Sequence, residues 1–240
     1  MIVIPSGRGV LGSAAAPAFS PTDIAGLKLW LRADAGVTES GGSVTSWADQ
    51  SGQGNNATNG TSPTKQTNQI NGLPVINFTN SQWLQIQQNS IGNTGNLNVF
   101  IVINYSSGGI ILNKGDAATF GNTVWEMAPQ NGFGYVDNDI PTWAVVAYTP
   151  PSGEVKIIEM ACDNGAIEVF ENNVSKGTAG PIGSVNAISQ YIGIGGGGTG
   201  GSTQSSLEAK IAEIIIYDAF LTSSQRASIY SYLNGRYAIY

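Results

Sequence analysis

Glu154 with Glu159, and Glu168 with Glu171, are closely spaced glutamate pairs in this 240-residue chain. Two carboxylates held a few ångströms apart are the minimal equipment for hydrolysing a glycosidic bond. On a strand, residues share a face only at even separation, so these pairs project from opposite faces. Glu159 and Asp163 have even spacing, but Asp163 opens the turn Asp163-Asn164-Gly165. The sequence contains no histidine, which excludes Ser-His-Asp and Cys-His mechanisms and removes the commonest general base. The single cysteine, Cys162, lies in an apolar run; it reads as a small core residue and leaves no intrachain disulfide. No catalytic residue is assigned, and the chain is not expected to be an enzyme.

Binding chemistry has better candidates. Calcium takes carboxylate, amide and carbonyl oxygens, and Asp137-Asn138-Asp139, ahead of Pro141, places the carboxylates of Asp137 and Asp139 in one loop. Asp49-x-Ser51-x-Gln53 imitates the start of a calcium loop, yet Gly60 stands where a bidentate glutamate is needed. No cofactor is required, and calcium is the ion these loops could hold. A sugar site needs an exposed aromatic face beside hydrogen-bonding groups. Trp125, Phe133, Tyr135 and Trp143, close in sequence to Asn131, Asp137 and Asn138, supply both. The glycan-binding candidates are therefore Trp125, Phe133, Tyr135, Asp137 and Trp143. The spacing Gly7-x-Gly9-x-x-Gly12 imitates a dinucleotide loop, but Pro17 and Pro21 cut any helix that would have to follow.

A scaffold must hold these groups. Hydrophobic residues make up 41% of the chain, enough for a core, and charged residues only 11%. Ten basic against sixteen acidic side chains, with no Lys/Arg cluster, exclude a nucleic-acid partner. No apolar stretch is long enough for membrane insertion. Segments rich in β-branched and aromatic residues recur between turn clusters, as in an antiparallel sheet protein. Strands are predicted over 27–31, 44–47, 75–78, 83–86, 97–104, 110–112, 124–127, 132–136, 143–148, 155–162, 166–170, 191–194 and 211–217. Asn164-Gly165 predicts a tight hairpin. One helix is predicted near the end, opened by a Thr222/Gln225 capping box, with Ala227, Tyr230 and Leu233 on its inner face and Asn234-Gly235 as its stop. The glycine run 195–201 reads as a surface loop.

Three blocks together, "LKLWLRADAGV" (27–37), "GGSVTSWADQSGQGNNAT…NGLPVINF" (41–78) and "KIAEIIIYDAFLTSSQRASIYSYLNGRYAI" (210–239), resemble the laminin G-like jelly rolls of the concanavalin A-like lectin/glucanase superfamily. The resemblance implies an all-β, two-sheet antiparallel jelly-roll sandwich with one short C-terminal helix, the 211–217 strand being central. It also implies that Trp47 packs in the core and Asp49 accepts backbone hydrogen bonds from the turn, so that "SWADQSGQGNNA" is architecture. Glucanases of the superfamily carry Glu-x-Asp-x-Glu on one strand, which this chain lacks. A Phe-Asp-Gly turn common in the family is replaced here by "FTNSQWL" (78–84), removing an Asp that a metal would use.

Two regions are expected, an extended arm over 1–25 and a jelly roll over 26–240. The resemblance extends to domains of bacteriophage tail fibres and head decorations. It implies a non-catalytic module that presents a glycan- or host-surface-binding jelly roll, with the arm anchoring it to a capsid or tail protein. A virion or extracellular surface is the expected location; the N-terminus lacks the basic region of a signal peptide. A homo-oligomer is compatible with such a role. The alternatives are a purely structural capsid or tail component without sugar binding and, disfavoured, a glycoside hydrolase.

Overall fold

Along β8 (Leu97–Ser107), Leu97, Val99, Ile101, Ile103 and Tyr105 belong to one buried cluster, while Phe100 and Val102 belong to another. Strict alternation therefore buries both faces of this strand, which places it between two layers of packing. The computed structural model describes residues 18–58, 60–79, 81–87, 91–115, 123–137, 142–182, 191–196 and 206–240. Within them the chain forms two antiparallel sheets face to face and one α-helix, a jelly-roll sandwich.

The first sheet runs in the order β15 (Val174–Ala179), β14 (Ala166–Glu171), β13 (Val155–Asp163), β8, β17 (Glu208–Tyr217), β6 (Leu73–Phe78) and β5 (Thr64–Ile70). β1 (Leu27–Arg32) pairs with the C-terminal half of β17, next to the stretch that β6 occupies. The expected central strand is thus central, and longer than predicted. The second sheet runs β12 (Thr142–Val146), β11 (Gly132–Asp137), β10 (Thr123–Ala128), β9 (Leu112–Gly115), β16 (Ile192–Ile194), β7 (Leu84–Ile86), β4 (Ala57–Thr58), β3 (Ser43–Trp47) and β2 (Val37–Ser40). The main core fills the space between the sheets and includes Trp47, Trp125, Tyr135 and Cys162.

A smaller core lies on the outer face of the first sheet, beneath helix α1 (Ser223–Tyr237). The predicted capping box is present: Thr222 Oγ1 accepts from Gln225 N, and Gln225 Oε1 accepts from Thr222 N at 2.9 Å. Two details of the helix differ from expectation. Ile229, Tyr230, Leu233 and Tyr237 form the buried face and Ala227 is exposed. The helix also runs through Asn234-Gly235 and stops at Ala238, whose φ of 49° is left-handed. Burying Tyr237 extends the inner face by one more turn, which outweighs a glycine in the helix.

Two carboxylates tie α1 to the sheet. Glu159, fully buried, accepts from Arg226 Nε at 2.6 Å, Arg226 NH2 at 2.7 Å and Asn98 Nδ2 at 2.5 Å. Glu213, equally buried, accepts from Trp30 Nε1, Tyr237 OH and Tyr232 OH at 2.6, 2.7 and 2.9 Å, with Arg236 Nε 3.4 Å away. Burial pushes both carboxyls above the usual range, and their hydrogen-bond and charge partners pull the other way.

The stretch 46–57 is a closed turn. Asp49 accepts from Trp30 N, Ser51 N, Ser51 Oγ and Asn55 N at 2.7–2.9 Å, while Trp47 is buried and donates from Nε1 to Arg32 O at 2.8 Å. The carboxylate stitches the turn to β1 and has no acceptor capacity to spare for an EF-hand-like calcium. Of the expected 1–25 arm, residues 1–17, with the Gly7-x-Gly9-x-x-Gly12 spacing, lie outside the described residues. Residues 18–25 run along the first sheet: Pro21 and Ile24 are buried, and Phe19 meets Tyr232 edge-on at 6.3 Å.

Candidate functional site

Strand parity decides where the predicted aromatics point. Trp125 and Met127 on β10, and Phe133 and Tyr135 on β11, all belong to the core between the sheets. Trp125, Phe133 and Tyr135 have no exposed surface, so none offers the open ring face that sugar stacking needs. This corrects the expectation for those three residues. The physical reason is that they occupy the same parity on paired strands, Trp125 opposite Tyr135 and Met127 opposite Phe133. Asp137 pairs with Thr142 and Trp143 with Val136 in the ladder; the side chains of Asp137 and Trp143, and all of Asn138 and Asp139, lie outside the described residues.

The residues of opposite parity form a different surface. On the outer face of the second sheet, one cross-strand row runs Thr58, Gln85, Gly193, Asn113, Glu126, Gly134 and Val145, each directly opposite the next. Its middle is polar yet buried: Gln85 is 7% exposed, Asn113 0% and Glu126 3%. Glu126 Oε1 and Asn113 Oδ1 have no hydrogen-bond partner, whereas Asn113 Nδ2 donates to Gly115 O at 3.3 Å. Buried polar atoms are nearly always paired, so two unpaired acceptors side by side mark a place where a donor is missing. Burial raises the Glu126 carboxyl to about 7, against a smaller opposing contribution from a hydrogen bond with Asn131.

At the β4–β7 end of the same face lies a pocket of about 270 Å³ lined by Gly54, Asn55, Asn56, Thr58 and Gln87. Asn56 and Thr58 flank the core residue Ala57, and Gln87 follows the core residue Ile86, which sets all three side chains outward. The last residues of "SWADQSGQGNNA" thus contribute amides to this pocket, although Asp49 itself serves the fold. Amide groups both donate and accept, which matches ligands rich in hydroxyls.

Lys114, one residue from Asn113, has the other parity and enters the core, where its ammonium donates to Ile91 O at 2.8 Å and to Asn93 Oδ1. Burial lowers its pKa to about 8, partly offset by Asp218. Sequence reasoning missed the row. The available signal was weak: Glu126 stands alone between Trp125 and Met127, and Asn113 ends the apolar run Ile110-Ile111-Leu112.

Four of the five carboxylates weighed for hydrolysis have other partners, Glu154 facing Lys156. Glu159 belongs to the helix clamp, Glu171 accepts from Tyr148 OH and faces Lys176 and Lys156, and Asp163 accepts from Asn164 Nδ2 in its turn. Among the described residues, no group of three or more His, Cys, Asp or Glu side chains could hold a metal.

No protein-family model matches the sequence, and no curated protein does. Solved structures do resemble the fold. The receptor-binding domain of botulinum neurotoxin type G matches with a TM-score of 0.62 at 12% identity, over 86% of this chain and 51% of that one. Domain 4 of AbnA, a GH43 extracellular arabinanase from Geobacillus stearothermophilus solved with arabinotriose, matches with a TM-score of 0.59 at 15% identity, over 83% of this chain and 95% of that one. The ligand-binding domain of botulinum neurotoxin serotype D, solved with N-acetylneuraminic acid, matches with a TM-score of 0.58 at 16% identity, over 86% of this chain and 50% of that one. The chain spans about half the length of the neurotoxin domains it matches. At such identities the likeness shows the fold alone, a jelly-roll sandwich.

Proposed function

We propose that this chain is a non-catalytic sugar-binding module, displayed on a virion, whose ligand face is the outer surface of the second sheet. The observation that carries the reading is the amide-lined pocket at the β4–β7 end of that face, where Asn56, Thr58 and Gln87 turn outward. A jelly roll in the same class of fold, domain 4 of AbnA, was solved with arabinotriose and is matched over nearly its whole length. Asp137 and Trp143 remain candidates by residue type alone, with Asp137 and Asp139 as the calcium option.

The anchoring role falls to the N-terminal arm. The described chain begins beside helix α1, with Ala18 and Phe19 next to Ser228 and Tyr232, on the far side of the sandwich from the polar row. An arm attached to a capsid or tail protein would therefore hold the second sheet outward, toward a cell surface. Binding of the purified chain to a broad glycan array, with calcium and again with chelator, tests the sugar reading. Saturable binding to one glycan class supports it; absence of binding under both conditions leaves the purely structural virion role.

A further inference from the structure

We infer that the open recess beside Phe220, at the β13–β15 edge of the first sheet, is a second sugar subsite and takes a single neutral ring. It lies on the other sheet from the β4–β7 pocket, and the two sites stand or fall separately. The recess has a volume of about 230 Å³, and its lining includes Ala161, Asp163, Glu168, Thr178 and Phe220. Ladder register assembles it. Ala161, Glu168 and Thr178 stand directly opposite one another across β13, β14 and β15, with Asp163 opposite Ala166 beside them. Ala161 belongs to the core beneath α1, whereas Cys162 and Ile167 belong to the core between the sheets, so parity sets Asp163, Glu168 and Thr178 on the outer face. A ligand can reach them: Phe220 is 48% exposed, Asp163 and Thr178 are exposed and Glu168 is half-buried.

Phe220 is the exposed aromatic that the strands do not supply. It belongs to neither core, yet its backbone is held on both sides. Asp218 N donates to Gly26 O at 2.9 Å, and Leu221 N donates to Asn98 Oδ1 at 2.8 Å. A ring on so fixed a backbone loses little freedom when a ligand covers it. The apolar CH face of a sugar can lie on this ring while its hydroxyls enter the recess, the pairing of apolar surface and a few polar groups that small-ligand sites use.

Acceptors wait there. Glu168 makes no hydrogen bond or ion pair among the described residues, because Arg226 is clamped to Glu159. Asp163 receives Asn164 Nδ2 on Oδ1, which leaves Oδ2. Hydroxyls donating to carboxylates form the stronger, charge-assisted kind of hydrogen bond, and the Thr178 hydroxyl can donate or accept. The same two carboxylates repel a sialic or uronic acid. Exposed carboxylates hold an ammonium only weakly, and a flat CH face uses the whole ring. The volume falls below the roughly 300–1,000 Å³ of sites for drug-sized ligands, which limits the occupant to one ring.

The test is an NMR titration of the full isotope-labelled chain with arabinose, galactose, glucose and their short oligomers, and separately with N-acetylneuraminic acid, glucuronic acid and spermidine. Saturable amide shifts at Ala161, Ala166, Thr178 and Leu221 report this recess, and those at Asn56, Thr58 and Gln87 report the other pocket. The expected result is a response of the recess to a neutral sugar alone, unchanged by added salt, with contacts from sugar CH protons to the Phe220 ring. F220A should weaken binding at the recess about three- to tenfold, the worth of a ring contact, and E168A about tenfold, while shifts at Asn56 and Gln87 persist. Both side chains lie outside the cores, and the variants' own spectra check the fold.

Recess affinity within twofold of the unaltered chain in folded F220A and E168A overturns the inference. So do shifts confined to the β4–β7 pocket, a response to the acidic sugars, or a salt-sensitive preference for spermidine; the first of these leaves the proposed ligand face standing. Shifts at the recess alone uphold the inference and remove the β4–β7 pocket as a sugar site. Absence of shifts at both places overturns both.

Discussion

Glu126 is the side chain whose environment most departs from what a surface strand would provide. Its carboxyl lies at about 7 in the folded chain through burial, against roughly 4.3 for an ordinary glutamate. A raised carboxyl favours folding while it is protonated. That stability is intact below about pH 4.3 and is lost as pH rises through about 7. E126Q, which cannot ionise, should therefore match the unaltered chain in stability near pH 4 and exceed it at pH 8. The difference is on the order of 3 kcal/mol, from about 1.4 kcal/mol per pH unit. Urea titrations of both proteins at the two pH values measure it, and the other titrating groups cancel in the comparison. Arg226 makes the opposite case. Arg226→Ala leaves Glu159 buried with its cation gone, and should cost about 3–5 kcal/mol. Replacing both members by methionine should recover most of that loss, a result readable from the same urea midpoints.

Asp49 shows how one side chain can fix a whole turn. Asp49→Ala orphans the Trp30 and Asn55 amides together and should lower stability by about 3 kcal/mol, within the range for losing a buried hydrogen-bond network. Sugar affinity of the folded fraction should be unchanged. This turn was legible in the sequence through the family block, and so were twelve of the thirteen predicted strands; the one expected over 110–112 lies instead at Leu112–Gly115. Those strands carry the apolar alternation that the cores demand. The strands that were not foreseen, β2, β4, β5 and β15, are short or polar: β2 and β15 are mostly exposed edge strands, whose residues answer to pairing rather than burial. Backbone signals for two of them were present all the same, since Asn71-Gly72 and Asn172-Asn173 adopt positive φ between β5 and β6 and between β14 and β15. The candidate site was less legible than the fold. Aromatic content pointed to Trp125, Phe133 and Tyr135, but only the register across β9, β10 and β11 reveals that they face inward and that Asn113 and Glu126 face outward.

The sandwich has two differently used outer faces. Helix α1 and the segment from Phe19 cover the first sheet, with Glu159 and Glu213 as internal anchors; the second sheet carries the polar row. Removing residues 1–17 should leave Tm and sugar affinity unchanged, because the Ser20 cap and the buried Pro21 and Ile24 remain; on the proposed virion role it should abolish incorporation into particles. Removal through Ile24 should lower Tm as well, since it exposes part of the core beneath α1. The central claim, that the outer face of the second sheet binds sugar, is tested most directly by a crystal structure of the chain with the best glycan from the array. The account predicts density for the sugar at the β4–β7 end of that face, touching Asn56, Thr58 and Gln87. A glycan bound over helix α1 or at the Asp163–Ala166 turn, with that pocket empty, would contradict it.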